Sequence, residues 1–189
     1  RSPASAQHKM GIADHIGEKR LMLSYASKFT PEQFKQFDQA FRPKNEAFIK
    51  AELTGKDRTR WHYQRYIKNY LRCVKAVDEN IGRMLDYLDR KKLTKNTIVI
   101  YSSDQGFWLG EHGWFDKRWM YEESLHTPLL VRWPNKIKPS SKNELLVSNL
   151  DFAPTFLELA GAKPAKDMQG ESLLPLFKGN TPKHWRMTH

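Results

Sequence analysis

Cysteine is almost absent from this 189-residue chain. Its one thiol, Cys73, excludes an intramolecular disulfide and leaves the redox compartment unread. No run approaches the roughly 20 apolar residues of a helical membrane span, so no membrane partner is expected. The chain has no low-complexity tract and no short-period repeat. Zinc-finger spacing, an RNP-type stretch and a recognition-helix signature are all missing, which argues against nucleic acid as a partner. The opening Arg1-Ser-Pro-Ala-Ser5 has neither an initiator methionine nor the apolar core of a signal peptide. The expectation is a chain that begins inside a longer precursor.

What remains is the composition of a globular protein: 39% hydrophobic and 28% charged residues, with chain enough for one domain of ordinary size. The formal net charge is +11. Such a balance describes either a solvated basic surface or a surface that concentrates polyanions.

Residues 1–30 are mixed and polar, a loop with short helical pieces, and His8 and His15 within it read as surface residues. Thr30-Pro31-Glu32 has the form of a helix start, with Thr30 as N-cap and Pro31 in the first helical position. That helix is expected to run to about Gln39, before Pro43 interrupts it, and a short helix to follow over Ala47–Leu53. From Asp57 to Lys91 apolar residues recur at three- and four-residue steps, among them Ile67, Tyr70, Leu71, Val74, Val77, Ile81, Met84, Leu85 and Leu88. This predicts a long helix covering one face of a sheet, with Cys73 as a buried, inert thiol and Tyr63, Tyr66 and Tyr70 in core packing. Leu129–Trp133 reads as a buried strand, Leu145–Ser148 as a short one, and Asp151 as the N-cap of a helix that Gly161 ends. Residues 162–189, with Pro164, Pro175 and Pro182 between Lys-rich stretches, predict loops that pack on something beyond this chain.

The chemistry is concentrated between Thr97 and Pro134. Thr97–Tyr101 is β-branched and aromatic, as a buried strand would be, and Ser102-Ser-Asp104-Gln105-Gly106 follows at its carboxyl end. Open α/β sheets place ligands outside that end. One carboxylate and one amide oxygen side by side suit a hard divalent cation, although a plain strand-to-loop turn would use the same residues. The loop beyond holds Gly106, Gly110 and Gly113 among Phe107, Trp108, Trp114, Phe115 and Trp119, together with Glu111, His112, Asp116, Lys117 and Arg118. A long loop both aromatic and ionic is more than a connector.

These residues resemble the formylglycine-dependent sulfatases, whose second metal segment is a strand ending in Ser/Thr-Ser-Asp-(Asn, His or Gln)-Gly with a lysine some way beyond. The likeness continues through Asp116-Lys117-Arg118, Tyr121-Glu-Glu-Ser124, Pro128-Leu-Leu-Val-Arg132, Val147–Thr155, Leu159-Ala-Gly161 and Gly170–Leu176, in the family's order. Among subgroups it is closest in look to N-acetylglucosamine-6-sulfatases. The resemblance implies an α/β fold, an alkaline phosphatase-like sulfatase sheet flanked by helices and present only in part. It implies a helical and loop insert over 1–56, the C-terminal part of the catalytic domain over 57–161, and the start of a C-terminal subdomain or tail over 162–189.

It further implies that Asp104 and Gln105 are metal ligands, for Ca²⁺ with Mg²⁺ as the alternative. Lys117 would contact the oxygens of a sulfate ester on a carbohydrate substrate. His112 would serve the leaving group or simply pack the loop; Arg118 would bind sulfate or pair with Asp116 or Glu122. His126 stands where many members carry arginine. By the same analogy the setting is exported: periplasmic, extracellular or lysosomal.

Two family features are missing. Cys73 is followed by Val74, Lys75, Ala76 and Val77, not by the Cys/Ser-x-Pro-x-Arg pattern that yields formylglycine, and no serine starts that pattern. The chain also has no Asp-Asp pair for the remaining ligands. Both belong to the N-terminal half of a sulfatase, which becomes an expected partner, and the chain by itself is expected to be inactive. A phosphate-ester or phosphonate hydrolase of the same superfamily and a non-catalytic basic module binding sulfated glycans are the competing readings.

Overall fold

The computed structural model describes residues 28–187. His8 and His15, and the reading of the segment that carries them, lie outside the described residues. Contacts divide the described residues into two compact units, one of residues 28–82 with 105–126 and one of residues 83–104 with 127–187.

In the first unit, helix α1 spans Pro31–Ala51 and helix α2, Gly55–Arg90, begins. Thr30 caps α1 as its sequence predicts: its hydroxyl accepts from the Gln33 amide at 3.3 Å, and the Gln33 side chain takes the Thr30 N–H at 3.0 Å. Pro43 does not interrupt the helix; the two expected short helices are one. A proline inside a helix costs one backbone hydrogen bond and some strain. Aromatic packing offsets it. Phe29, Phe37 and Phe41 pack in series, Phe48 stacks on Trp61 of α2 at 3.9 Å, and the Arg65 guanidinium lies 4.8 Å from the Phe41 ring.

Helix α2 matches the predicted range, but its stripe is not a covered core. Residues 71–80 are exposed on every side, Leu71 at 54% and Val77 at 47%. Cys73 is therefore exposed rather than buried. The apolar period drives helix formation, yet no described residue supplies the layer against which that stripe would bury.

In the second unit, β1 (Val99–Ser102) pairs antiparallel with β4 (Leu129–Arg132), running from Val99 opposite Arg132 to Ser102 opposite Leu129. Both strands lie where the sequence places them, but they are half-exposed, with Tyr101 at 40% and Leu130 at 64%. Two strands have two open edges and bury too little surface for a core of their own. The core lies elsewhere. Leu173, Leu176 and Trp185 are buried together, with Leu129, Leu145, Val147, Phe152 and Phe177 packed against them.

Residues 170–186 thus pack onto their own unit, contrary to the expectation that they would need an outside surface. Helix α4 (Phe152–Leu159) follows a 3₁₀ turn at Asn149–Asp151, and α5 spans Leu174–Phe177. Asp151 occupies the N-cap position of α4, as its sequence predicts, but its side chain makes no capping hydrogen bond to that helix. Ser148 caps the turn, and the buried Asp151 carboxylate accepts from the backbone N–H groups of Ser148 and Glu171, each at 2.8 Å, and from Arg186 at 2.5 Å. Leu145–Ser148 forms no strand; there the Leu146 carbonyl accepts from the Trp185 indole at 2.8 Å instead.

Candidate functional site

Within the first unit the loop after Gln105 folds back on itself. Strand β2 (Trp108–Leu109) pairs antiparallel with β3 (Phe115–Asp116), and helix α3 spans Glu122–Leu125. Gly106 locks the loop to α3. Its N–H donates to the Ser124 carbonyl at 2.7 Å, and a Cβ on it would stand 2.1 Å from the Glu123 carbonyl oxygen. Glycine is required here for close backbone approach rather than for a sharp turn, since its φ is not in the left-handed region. Trp108 is fully buried, and its indole N–H donates to the Ser124 hydroxyl at 2.6 Å. Trp114 and Tyr121 pack edge-on against it at 4.9 and 5.4 Å.

From α2, Tyr66 reaches the same loop. Its hydroxyl donates to the Trp108 carbonyl at 3.4 Å and its ring meets Phe115 edge-on, while Tyr70 stacks on Phe107. Burial, with the charges of Tyr70, Glu111 and Asp116 added, pushes the Tyr66 phenol up to about 12.

On this scaffold the ionic residues are held under backbone strain. His112 and Asp116 both adopt positive φ, 54° and 81°. Non-glycine residues in that region cost on the order of 1–3 kcal/mol each and cluster at functional sites. The His112 ring lies edge-on to Trp108 at 5.5 Å, with Nε2 3.5 Å from a Glu123 carboxylate oxygen. Asp116 is paired with Arg118, whose Nε donates at 3.0 Å. Lys117, between them, is exposed and forms no ion pair or hydrogen bond among the described residues. The Asp116 charge is therefore directed to Arg118 rather than to Lys117. His126 pairs with Glu122 at 3.3 Å.

In the second unit, Asp104 follows the strand end with its side chain exposed. The Asn149 amide donates to the carbonyls of Ser103 and Asp104 at 3.5 and 3.4 Å, which fixes the backbone at this point. Among the described residues, no group of three or more His, Cys, Asp or Glu is arranged to hold a metal ion. Asp104 with Gln105 offers one carboxylate and one amide oxygen. The chemistry suits a hard cation, but Ca²⁺ takes 6–8 oxygens, so these two alone would not complete a shell.

Sequence reasoning missed Glu123, Ser124 and Gly106 as the fastening of the loop. The signal was present in Tyr121-Glu-Glu-Ser124, but nothing local reveals that its carbonyls face a glycine seventeen and eighteen positions earlier.

A family sequence model described as "N-sulphoglucosamine sulphohydrolase, C-terminal" matches residues 110–189. An N-acetylglucosamine-6-O-sulfatase of Bacteroides thetaiotaomicron is 46% identical over 167 residues, which is 87% of this chain and 30% of the relative. This chain belongs to the sulfatase family. The human N-acetylglucosamine-6-sulfatase is 31% identical over 179 residues, or 82% of the chain and 30% of the human protein. The fold is shared too. A solved structure of a protein with its substrate D-glucosamine-2-N,6-O-disulfate superposes with a TM-score of 0.81 at 44% identity, over 92% of this chain and 36% of that one. A phosphonate monoester hydrolase from Silicibacter pomeroyi gives 0.65 at 29% identity, over 72% and 26%. The sulfatase chain thus spans about a third of the length of these relatives.

Proposed function

We propose that this chain is the C-terminal part of a sulfatase catalytic domain that hydrolyses sulfate esters of sulfated glucosamine-containing carbohydrate. The observation that carries the reading is the strained loop from Gly106 to Lys117. It leaves one lysine unneutralised beside a paired aspartate, in a chain 46% identical to an N-acetylglucosamine-6-O-sulfatase.

Asp104 and Gln105 would hold a divalent cation, Ca²⁺ or Mg²⁺, with further ligands from outside this chain. When bound, such an ion lowers the pKa of a ligated nucleophile and offsets charge on the group transferred. Lys117 presents a fixed cation to the sulfuryl oxygens, a preorganised electrostatic contribution. His112 has Glu123 at Nε2, which leaves Nδ1 as the ring nitrogen able to face a departing alkoxide. The nucleophile, formylglycine by family analogy, comes from a partner portion equivalent to the N-terminal half of the relatives. By that reading the isolated chain turns over no substrate, and the parent protein is exported.

The test is a chimera in which this chain replaces the matching third of the Bacteroides relative. A folded chimera should hydrolyse glucosamine-6-sulfate and lose at least about a hundredfold in kcat/KM with Asp104→Ala or Lys117→Ala. Turnover by the folded chimera that neither substitution affects would overturn the assignment. The likeness to a phosphonate monoester hydrolase favours one second reading, phosphonate ester chemistry at the same residues. A chimera that prefers a phosphonate monoester to the sulfate ester would select it.

A further inference from the structure

Helix α2 carries a second feature, unconnected with the loop. Between Lys56 and Lys75 stand seven cations, Lys56, Arg58, Arg60, Arg65, Lys68, Arg72 and Lys75, against Asp57 alone. Those twenty positions therefore hold six of the chain's eleven net positive charges. At about 100° per residue, Lys68, Arg72 and Lys75 fall within an arc of about 60°, roughly opposite the apolar stripe. They rise along the helix in steps of about 6 and 4.5 Å. All three are exposed.

This arrangement works against helix stability. Lys68 follows Arg65 by three positions and precedes Arg72 by four, and Arg72 precedes Lys75 by three; like charges at those spacings destabilise by a few tenths of a kcal/mol each. Compensation within the helix is slight. Arg72 donates to the Asn69 amide oxygen, Lys75 pairs with Glu79 at 2.6 Å, and Lys68 has no partner among the described residues. The Lys75–Glu79 pair is well exposed and stabilises little. The sign of the helix changes directly afterwards, at Asp78 and Glu79, which bounds the patch.

We propose that the Lys68–Arg72–Lys75 ridge is a docking surface for the sulfated polysaccharide chain, distinct from the groups that face the reacting ester. It rests on the sulfatase reading for the identity of its occupant. A polymer carrying sulfates along its length presents anions at the few-ångström intervals that this ridge repeats, and Arg72 adds the planar fork that matches an oxyanion. No aromatic ring lies on the exposed arc between Lys68 and Lys75, whereas a surface for single-stranded nucleic acid combines its cations with rings on which bases stack. A ridge of this kind raises local polymer concentration and the association rate, and it does so less at high salt.

The experiment measures binding of size-fractionated heparin to the full chain at several salt concentrations. It compares the wild type with K68Q/R72Q/K75Q and with K136Q/K138Q/K142Q, which removes the same charge from the surface loop after β4. Circular dichroism confirms that each is folded. The ridge variant should bind about tenfold more weakly with a shallower salt dependence, and the loop variant within twofold of wild type. Equal losses in the two triple variants would overturn the proposal in favour of undirected charge. Duplex DNA bound as tightly as heparin and equally sensitive to the ridge would overturn the choice of occupant. Failure of the sulfatase reading itself is seen separately, in the turnover of the chimera.

Discussion

The buried indole of Trp108 donates its only hydrogen bond to the hydroxyl of Ser124, sixteen residues on, at 2.6 Å. This bond, with the Gly106–Ser124 backbone bond, ties the ascending limb of the ionic loop to helix α3 and sets the backbone of His112 and Asp116 between them. Ser124→Ala should leave the indole N–H buried without a partner, at a cost of about 1–3 kcal/mol in urea unfolding. Ser124→Thr, which keeps the hydroxyl, should lose less than Ser124→Ala if the bond is what matters.

Gly106→Ala tests the same fastening from the other side. The added methyl would meet the carbonyl of Glu123 at 2.1 Å, so the loop or α3 must move. The expected loss is about 1–3 kcal/mol or more, read as a lower thermal midpoint. Retained stability would mean that the two backbones are not held at this distance.

In the second unit, the Asp151 carboxylate gathers two backbone N–H groups and Arg186 with no exposure of its own. Arg186→Met should strand a buried charge and destabilise by about 3–5 kcal/mol, and Asp151→Ala should cost at least as much. Urea midpoints decide it; a change below about 1 kcal/mol would show the pair to be solvated.

Tyr66 contributes to the pH dependence of stability at the alkaline end. Its phenol is raised to about 12 in the fold from an ordinary value of 10, chiefly by burial. The folded state therefore favours the neutral form. Its contribution is fully present below pH 10 and lost as pH rises through about 12. Tyr66→Phe should flatten unfolding free energy against pH in that window and, at neutral pH, lose no more than the hydrogen bond to the Trp108 carbonyl, about 0.5–1.5 kcal/mol. An unaltered profile would assign the alkaline loss to other groups.

Local signals were legible where the sequence alone determines the outcome. Thr30 and Pro31 mark a helix start by chemistry that needs nothing distant, and the apolar period of α2 gives its length. The order of motifs from Ser102 to Gly170 gave the family. What failed depended on partners far along the chain. Pro43 lies inside a continuous helix whose far end packs Phe48 on Trp61, and no local rule reports that contact. Leu173, Leu176 and Trp185 find their core against Leu129, Leu145 and Phe152, so a segment that reads as loose turns is packed. Asp151 stands at the N-cap position its sequence predicts, but its carboxylate does not cap α4, because residues twenty and thirty-five positions later claim it. For α2 and β1 the periodicity correctly gave helix and strand but not burial, which requires a second layer to exist.

The central claim is that Asp104 and Gln105 are oxygen donors to a divalent cation, and isothermal calorimetry of Ca²⁺ binding to this chain tests it most directly. The account predicts weak, saturable binding with a Kd of about 1 mM, as suits a partial shell, abolished by Asp104→Asn. Identical isotherms for the variant and the wild type, or no heat from either at millimolar Ca²⁺, would contradict it.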